Sequence, residues 1–225
     1  MTVPLVLATF LVFIVLDYFL NRRKAIHTVH ATLPQPQSLP AHLGGDYVEG
    51  FLVPGNLSYH SGHSWLVRER KGVVRIGADE FAAALAGKIE QVELPKPGTW
   101  VRQGQKFLSF VRNGQRTEMV SPTEGEVTAV NTEVLNNPAL LRQDPYGKGW
   151  LLSLHVPDEE NTGRNLVPRM LVREWMRQAV ENLYAHQPAL AGAVAADGGR
   201  PAEDILAGIP EANWNEITRE FFLTV

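Results

Sequence analysis

Cysteine is absent from the 225 residues of the chain. Disulfide bonds, a thiolate nucleophile and Cys-ligated zinc or iron–sulfur clusters are therefore excluded. The chain also lacks an excess of charge of either sign, because 21 Lys and Arg against 24 Asp and Glu leave a net charge of -3. This balance argues against a polybasic nucleic-acid-binding protein, and we expect no nucleic-acid partner. With 44% apolar and 20% charged residues, the composition is that of a folded chain.

Shifts in composition divide the chain into four segments, 1–24, 25–57, 58–157 and 158–225. Their net charges are +2, -2, +2 and -5 in that order. We interpret the segments as a transmembrane anchor, a linker, a compact β domain and a helical extension. The acidity of the extension argues against its adhesion to an anionic bilayer.

Residues 3–20 form one long apolar run, VPLVLATFLVFIVLDYFL. Eighteen residues of helix cover about 27 Å, close to the ~30 Å hydrocarbon core of a bilayer. The basic cluster Asn-Arg-Arg-Lys at 21–24 follows the run, so the positive-inside rule places the C-terminal bulk in the cytoplasm. A cleaved signal peptide would carry its basic residues before the run, and a buried helix of a soluble fold is the other alternative. We predict a single-pass anchor in a bacterial inner (cytoplasmic) membrane.

The segment 25–57 contains four prolines and shows no sustained helical or strand period. We interpret it as a partly stiff linker that holds the next domain near the bilayer.

Short runs rich in β-branched residues, separated by Gly and Pro, fill 58–157 and predict a sandwich or flattened barrel. One helix is predicted at Asp79–Ala86, with Asp79 as its N-cap and Gly87 after its end. A short helical turn is predicted at Pro138–Arg142. The predicted strands are Ser64–Arg70, Val73–Gly77, Ile89–Leu94, Thr99–Val101, Lys106–Arg112, Gln115–Val120, Gly125–Asn131 and Trp150–His155.

Five blocks in this domain, in matching order and spacing, resemble the glycine cleavage system H protein family. They are YHSGHSW at 59–65, RIGADEFA at 75–82, QVELPKPG at 91–98, SPTEGEV at 121–127 and NNPALLRQDPYGKGW at 136–150. The resemblance covers Tyr59 to Pro157. It implies a mainly β, lipoyl-domain-like flattened barrel-sandwich. The apolar run before this domain and the helical spacing after it add a predicted N-terminal transmembrane helix and a C-terminal helical extension. In H proteins a hairpin of this fold displays a lipoylated lysine as a swinging arm.

In the family that lysine lies seven residues before the serine of a Ser-Pro pair, and the count from Ser121 falls on Gly114. The pair Asn113-Gly114 between two strand patterns predicts a hairpin with a type I′ turn. Glycine has no amine to modify, and Lys106 lies eight residues upstream at the far end of a strand. The resemblance therefore implies a degenerate member without lipoate, and we expect no cofactor.

The predicted hairpin tip is basic, whereas H proteins as a family are acidic. Arg112 and Arg116 flank Asn113 and Gly114. The tip is either an altered docking face for a protein, a nucleotide or a lipid headgroup, or simply a solvated turn.

The extension contains apolar residues at helical spacing. A repeat near 3.6 predicts an amphipathic helix over 166–185, and shorter helices are predicted at Pro201–Ala207 and Trp214–Leu223. The apolar set needs a covering surface, either its own β domain or a partner. Candidate docking side chains are Trp175, Trp214, Phe221 and Phe222.

His60 and His63 are three residues apart in a predicted strand, so their side chains should point to opposite faces. A shared metal is therefore not expected, and we assign packing or hydrogen bonding to His63.

The sequence shows no nucleophile–base pair, phosphate loop or metal-ligand spacing, so we do not expect an enzyme. We predict a non-catalytic, non-lipoylated subunit that docks or stabilises protein partners at the cytoplasmic face of a membrane complex. A redox or respiratory complex is favoured by analogy with the enzymes that H proteins serve. The alternative is a carrier of the lipoyl type that uses another attachment residue or a noncovalent ligand.

Overall fold

A computed structural model describes residues 45–158, 162–186, 204–206 and 213–224. All of them belong to one compact unit, 39–225. The predicted anchor at 3–20 and the linker up to residue 44 lie outside the described residues. No helix in the described ranges is long and apolar enough to cross a membrane.

Strands dominate the described part and pair in antiparallel fashion throughout three sheets. The sheet orders are β1-β2, β3-β4-β5-β11-β10-β7 and β6-β8-β9. This confirms the predicted mainly β class. The strands are β1 (Gly45–Val48), β2 (Phe51–Pro54), β3 (Ser58–Tyr59), β4 (Ser64–Arg70), β5 (Val73–Ala78), β6 (Gln91–Glu93), β7 (Trp100–Val101), β8 (Lys106–Arg112), β9 (Gln115–Val120), β10 (Gly125–Val130) and β11 (Trp150–His155).

Helices connect the strands and follow them. In α1 (Glu80–Ala86) the side chain of Asp79 accepts a hydrogen bond from the Ala82 N–H, and Gly87 at φ 70° ends the helix, as predicted. The short helices α2 (Thr132–Asn136) and α3 (Leu140–Gln143) precede β11. After β11 come 3₁₀ turns at Gly163–Asn165 and Arg169–Leu171, then α4 (Val172–His186) and α5 (Trp214–Phe221).

The β1–β2 hairpin corrects the predicted linker boundary at residue 57. Glu49 and Gly50 turn the chain with φ 48° and 84°, the conformation of a type I′ turn. Phe51 and Val53 then enter the core. The alternation covers only four residues on each side of the turn, too short for the sequence pattern to outweigh the surrounding Pro and Gly.

The predicted helix at 166–185 begins later than expected. Val167 precedes a proline, a position that disfavours helical dihedrals, and its N–H donates to the Tyr59 carbonyl at 2.7 Å. Leu166 forms an isolated bridge with His60, and α4 starts only at Val172. Residues 204–206, the described part of the predicted helix at 201–207, form a turn.

The core is continuous from the β domain into the extension. Trp65 lies at its centre, fully buried, with its indole N–H donating to the Pro145 carbonyl at 3.1 Å. Its ring lies against Gly77, where a Cβ would come within 2.6 Å of the indole nitrogen, so this close approach requires glycine. Other large and fully buried side chains are Tyr59, Phe51, Phe81, Phe110 and Phe222.

Candidate docking surfaces of the hairpin and the extension

The tip of the β8–β9 hairpin is a two-residue turn that projects into solvent. Asn113 and Gly114 have φ 49° and 72°, and Arg112 pairs with Gln115 in register, which confirms the predicted type I′ turn. No other group lies within 4 Å of where a Gly114 Cβ would be. The tip carries no lysine, and Lys106 pairs with Val120 at the opposite end of the hairpin.

Arg112, predicted to belong to a docking tip, is instead a largely buried clasp. Its side chain is 14% exposed, and the guanidinium binds both carboxylate oxygens of Asp204, at 3.0 and 2.9 Å. It also donates to the carbonyl of Ala86 at 3.2 Å. Asp204 accepts the Lys88 N–H as well, at 3.3 Å. Arg112 therefore joins the hairpin to the extension, and Asp204 is the residue that sequence reasoning missed.

Arg116 remains at the surface, as predicted. Its side chain is 55% exposed, forms an ion pair with Glu93 at 2.8 Å and donates to Ser109 Oγ at 2.7 Å. A shallow groove of about 220 Å³ adjoins it. The groove is bordered by a second exposed ion pair, Lys106 with Glu118 at 3.4 Å. The exposed docking candidates thus lie on a face of mixed charge.

Three of the docking candidates lie inside the chain's own core, namely Trp214, Phe221 and Phe222. The Trp214 indole donates to the Ala86 carbonyl at 3.1 Å, and the Phe221 ring centroid lies 5.3 Å from that of Phe81. Phe222 is fully buried with its ring edge toward Phe110 at 6.2 Å. Of the two surfaces considered for this apolar set, the described part of the extension uses its own β domain.

Trp175 covers a buried polar pair. His63, at φ 61°, places Nδ1 2.9 Å from Asp79 Oδ2. The His63 ring stacks on Phe81 and Trp175 with centroid distances of 4.3 and 4.7 Å. Both side chains are almost fully buried, and the pair joins the turn before β4 to the N-cap of α1. This agrees with the packing and hydrogen-bonding role assigned to His63.

His60 and His63 lie on either side of a turn, and not in one strand as predicted. The His63 N–H donates to the His60 carbonyl across this turn, at 2.9 Å. His60 Nδ1 accepts the Gly62 N–H at 3.1 Å. Burial, with the neighbouring His63, lowers the pKa of His60. Burial has the opposite effect on Tyr146, because it raises the pKa of a phenol. The Tyr146 hydroxyl donates to the Leu52 carbonyl at 2.6 Å. In the described ranges no group of three or more His, Asp or Glu side chains could hold a metal ion.

Comparison with known proteins gives one consistent family. The glycine cleavage H-protein family model matches residues 57–178. The match passes the predicted end of the resemblance at Pro157 and includes the first half of α4. The glycine cleavage system H protein of Mycobacterium leprae is 37% identical over 106 residues, 47% of this chain and 80% of that protein. The H protein of Mycobacterium avium is 36% identical over the same shares.

Among solved structures, the H protein of Mycobacterium marinum matches with a TM-score of 0.49 and 27% identity, over 56% of this chain and 98% of that one. Because the family model covers just over half of the 225 residues, the chain belongs to the glycine cleavage H-protein family.

Proposed function

We propose that this protein is a membrane-anchored, non-lipoylated member of its family that acts as a non-catalytic subunit of a membrane complex. It docks partner proteins at the cytoplasmic face of the bilayer through the hairpin tip and the mixed-charge groove beside it. By analogy with the redox enzymes that lipoyl carriers serve, we favour a respiratory or other electron-transfer complex.

The observation that carries this proposal is the missing amine at the hairpin tip. The turn has the exposure that a swinging arm needs. The resemblance to the family, counted back from Ser121, aligns Gly114 with the lysine that carries lipoate. Lys106 is at the wrong end of the hairpin and pairs with Glu118. A domain that keeps the family's scaffold without the attachment residue retains its protein-binding surfaces and loses the carrier chemistry.

The groove offers a chemically suitable docking surface. Its two ion pairs, Arg116–Glu93 and Lys106–Glu118, are between a third and a little over half exposed. Exposed pairs contribute under about 1 kcal/mol to stability, so a partner can replace them at little cost. Alternating charges also select a partner of complementary pattern and guide its approach.

Native purification combined with intact-protein mass spectrometry tests the proposal. Isolated from detergent-solubilised membranes at native expression, the protein should elute with other subunits in fixed ratio and with the mass of the unmodified chain. Elution as a lone protein would refute the subunit role. A mass increase of one lipoyl group would establish the carrier alternative, and recovery in the soluble fraction would refute the anchor.

A charge reversal then maps the docking face. Arg116→Glu should reduce recovery of the partner by about tenfold, because it places like charges against a complementary surface. Arg102→Glu is the matched control, since Arg102 is also exposed and lies outside the groove. Equal recovery with both variants would remove the groove from the proposal.

A further inference from the structure

An exposed apolar surface lies where the extension meets the β1–β2 hairpin. Met170 is 88% exposed, and its neighbour Leu171 and Tyr47 of β1 are each 50% exposed. Met170 and Tyr47 line the same depression of about 450 Å³, together with Glu49 and Arg173. We call this region the Met170 face. Apolar side chains concentrated on one exposed face of a folded domain indicate a contact surface.

The structure holds this face in place. Arg169 donates to the Gly55 carbonyl on one side, and Arg173 forms an ion pair with Asp46 of β1 on the other. Between them the Leu171 N–H donates to the Pro168 carbonyl at 2.7 Å and closes the 3₁₀ turn. Met170 is thus presented outward by a turn that is tied to the β domain at both ends.

The charges around Met170 differ from those of the extension as a whole. Although segment 158–225 carries -5, residues 162–180 hold four arginines and a single acidic residue, Glu174. Arg173 and Arg177 remain 65% and 49% exposed although each forms an ion pair. Arginine stems beside exposed apolar side chains are typical of surfaces that lie in the interfacial layer of a bilayer. Asp46 and Glu49 offset most of the positive charge, so the face has little net charge.

The position of the face in the chain matches this chemistry. Tyr47 lies two residues after Gly45, the first described residue, and twenty residues separate Gly45 from the basic cluster that ends at Lys24. A chain of that length reaches at most about 70 Å, so the proposed anchor at 3–20 would limit the distance between the domain and the bilayer and raise the local concentration of lipid. Even weak affinity for lipid is then sufficient for contact.

We propose that the Met170 face rests on the surface of the lipid bilayer, with Met170 and Tyr47 inserted at headgroup level. This deepens the proposed function and depends on its membrane anchor. It fixes the orientation of the domain, so that the hairpin and groove face partners from a defined side.

Site-specific fluorescence in lipid nanodiscs tests the proposal on the full chain. The absence of native cysteine makes any single-cysteine variant uniquely labelled. Met170→Cys is labelled with an environment-sensitive fluorophore and reconstituted in zwitterionic discs, with and without headgroup-level nitroxide lipid. Trp100→Cys and Leu135→Cys are the matched controls, since both are exposed apolar residues on other elements. We expect at least about twofold quenching at 170 and little at the controls.

The outcomes separate the two proposals. If the protein co-isolates with discs and the label at 170 resists the lipid quencher, the bilayer contact is refuted and the anchor stands. If that label resists aqueous quenchers as well, a second copy or another protein covers the face, which also refutes the contact. If the full chain does not incorporate into discs, the anchor fails and this inference fails with it. Replacing part of the lipid with an anionic one should change the quenching by less than about twofold, because the face has little net charge.

Discussion

Arg112 and Arg116 lie four residues apart on one hairpin and have opposite surroundings. Arg112 is mostly buried and binds Asp204, whereas Arg116 is exposed and forms its ion pair with Glu93 at the surface. Their residue type and distance from the turn are similar, so neither explains the difference. The C-terminal segment covers the side that Arg112 occupies and leaves the Arg116 side open. A tail that packs on its own domain thus decides which part of the hairpin remains exposed.

Substitutions on the side of the hairpin that the extension covers should have the largest effect on stability. Phe222→Ala removes a fully buried ring that packs on Phe110, and we expect a loss of about 3–5 kcal/mol in the free energy of unfolding. Denaturant unfolding of the detergent-solubilised full chain measures it. Leu223→Ala is the control, because that neighbouring side chain is 48% exposed and should cost under about 0.5 kcal/mol. Equal losses would show that the extension does not pack on the β domain in solution.

The two arginine pairs themselves provide the next comparison. Asp204→Ala leaves the Arg112 guanidinium without its carboxylate partner, and we expect a loss of about 2 kcal/mol. Glu93→Ala breaks the exposed pair and should cost less than about 0.5 kcal/mol. A double-mutant cycle of Arg112→Ala with Asp204→Ala isolates the coupling energy. A coupling energy close to zero would show that the Arg112–Asp204 pair contributes as little to stability as an exposed pair.

Local sequence signals predicted the hairpin but not the ion pair between Arg112 and Asp204. The strands β4, β8, β9 and β11 begin and end at the predicted residues, because alternating patterns and the Asn113-Gly114 turn define them within a few neighbours. Asp204 lies 92 residues after Arg112, and no spacing rule connects two residues across that distance. The sequence identified both arginines as candidates, but only the packing of the tail distinguishes them.

The same limit of local sequence patterns explains why two features of the extension were predicted wrongly. Helical spacing marked Trp214, Phe221 and Phe222 as one apolar set, and the set does lie together. Whether a partner or the β domain covers it depends on the shape of the surface between α1 and β9, which periodicity does not encode. At 166–171 the period suggested helix, and the restriction that Pro168 imposes on Val167 overrode it.

Introducing an amine at the hairpin tip tests the exposed side of the hairpin. Gly114→Lys places a lysine in empty space at φ 72°, which we expect to cost about 1 kcal/mol because side chains disfavour this backbone conformation. Gly104→Lys is closely matched, with φ 71° and equally open surroundings in another loop. With a lipoyl ligase and lipoate, mass spectrometry should show modification of Gly114→Lys alone. A modified wild-type chain would contradict the missing-lysine interpretation, and an unmodified Gly114→Lys would contradict the predicted position.

The smallest effect concerns the pH dependence of the covered side. His60 lies beneath the extension, where it pairs with Leu166, and its Nδ1 must be unprotonated to accept the Gly62 N–H. Burial lowers its pKa, so below the unfolded-state value of about 6.5 the unfolded chain binds the proton more readily than the folded one. This contribution to stability is complete above that pH and is lost as the pH falls toward the lowered pKa. His60→Asn keeps an acceptor oxygen and does not titrate, so the difference from wild type in unfolding free energy should change between pH 7 and pH 5. The exposed His155→Asn serves as the control; if it changes the profile as much as His60→Asn does, the covered side is no more pH-sensitive than the open surface.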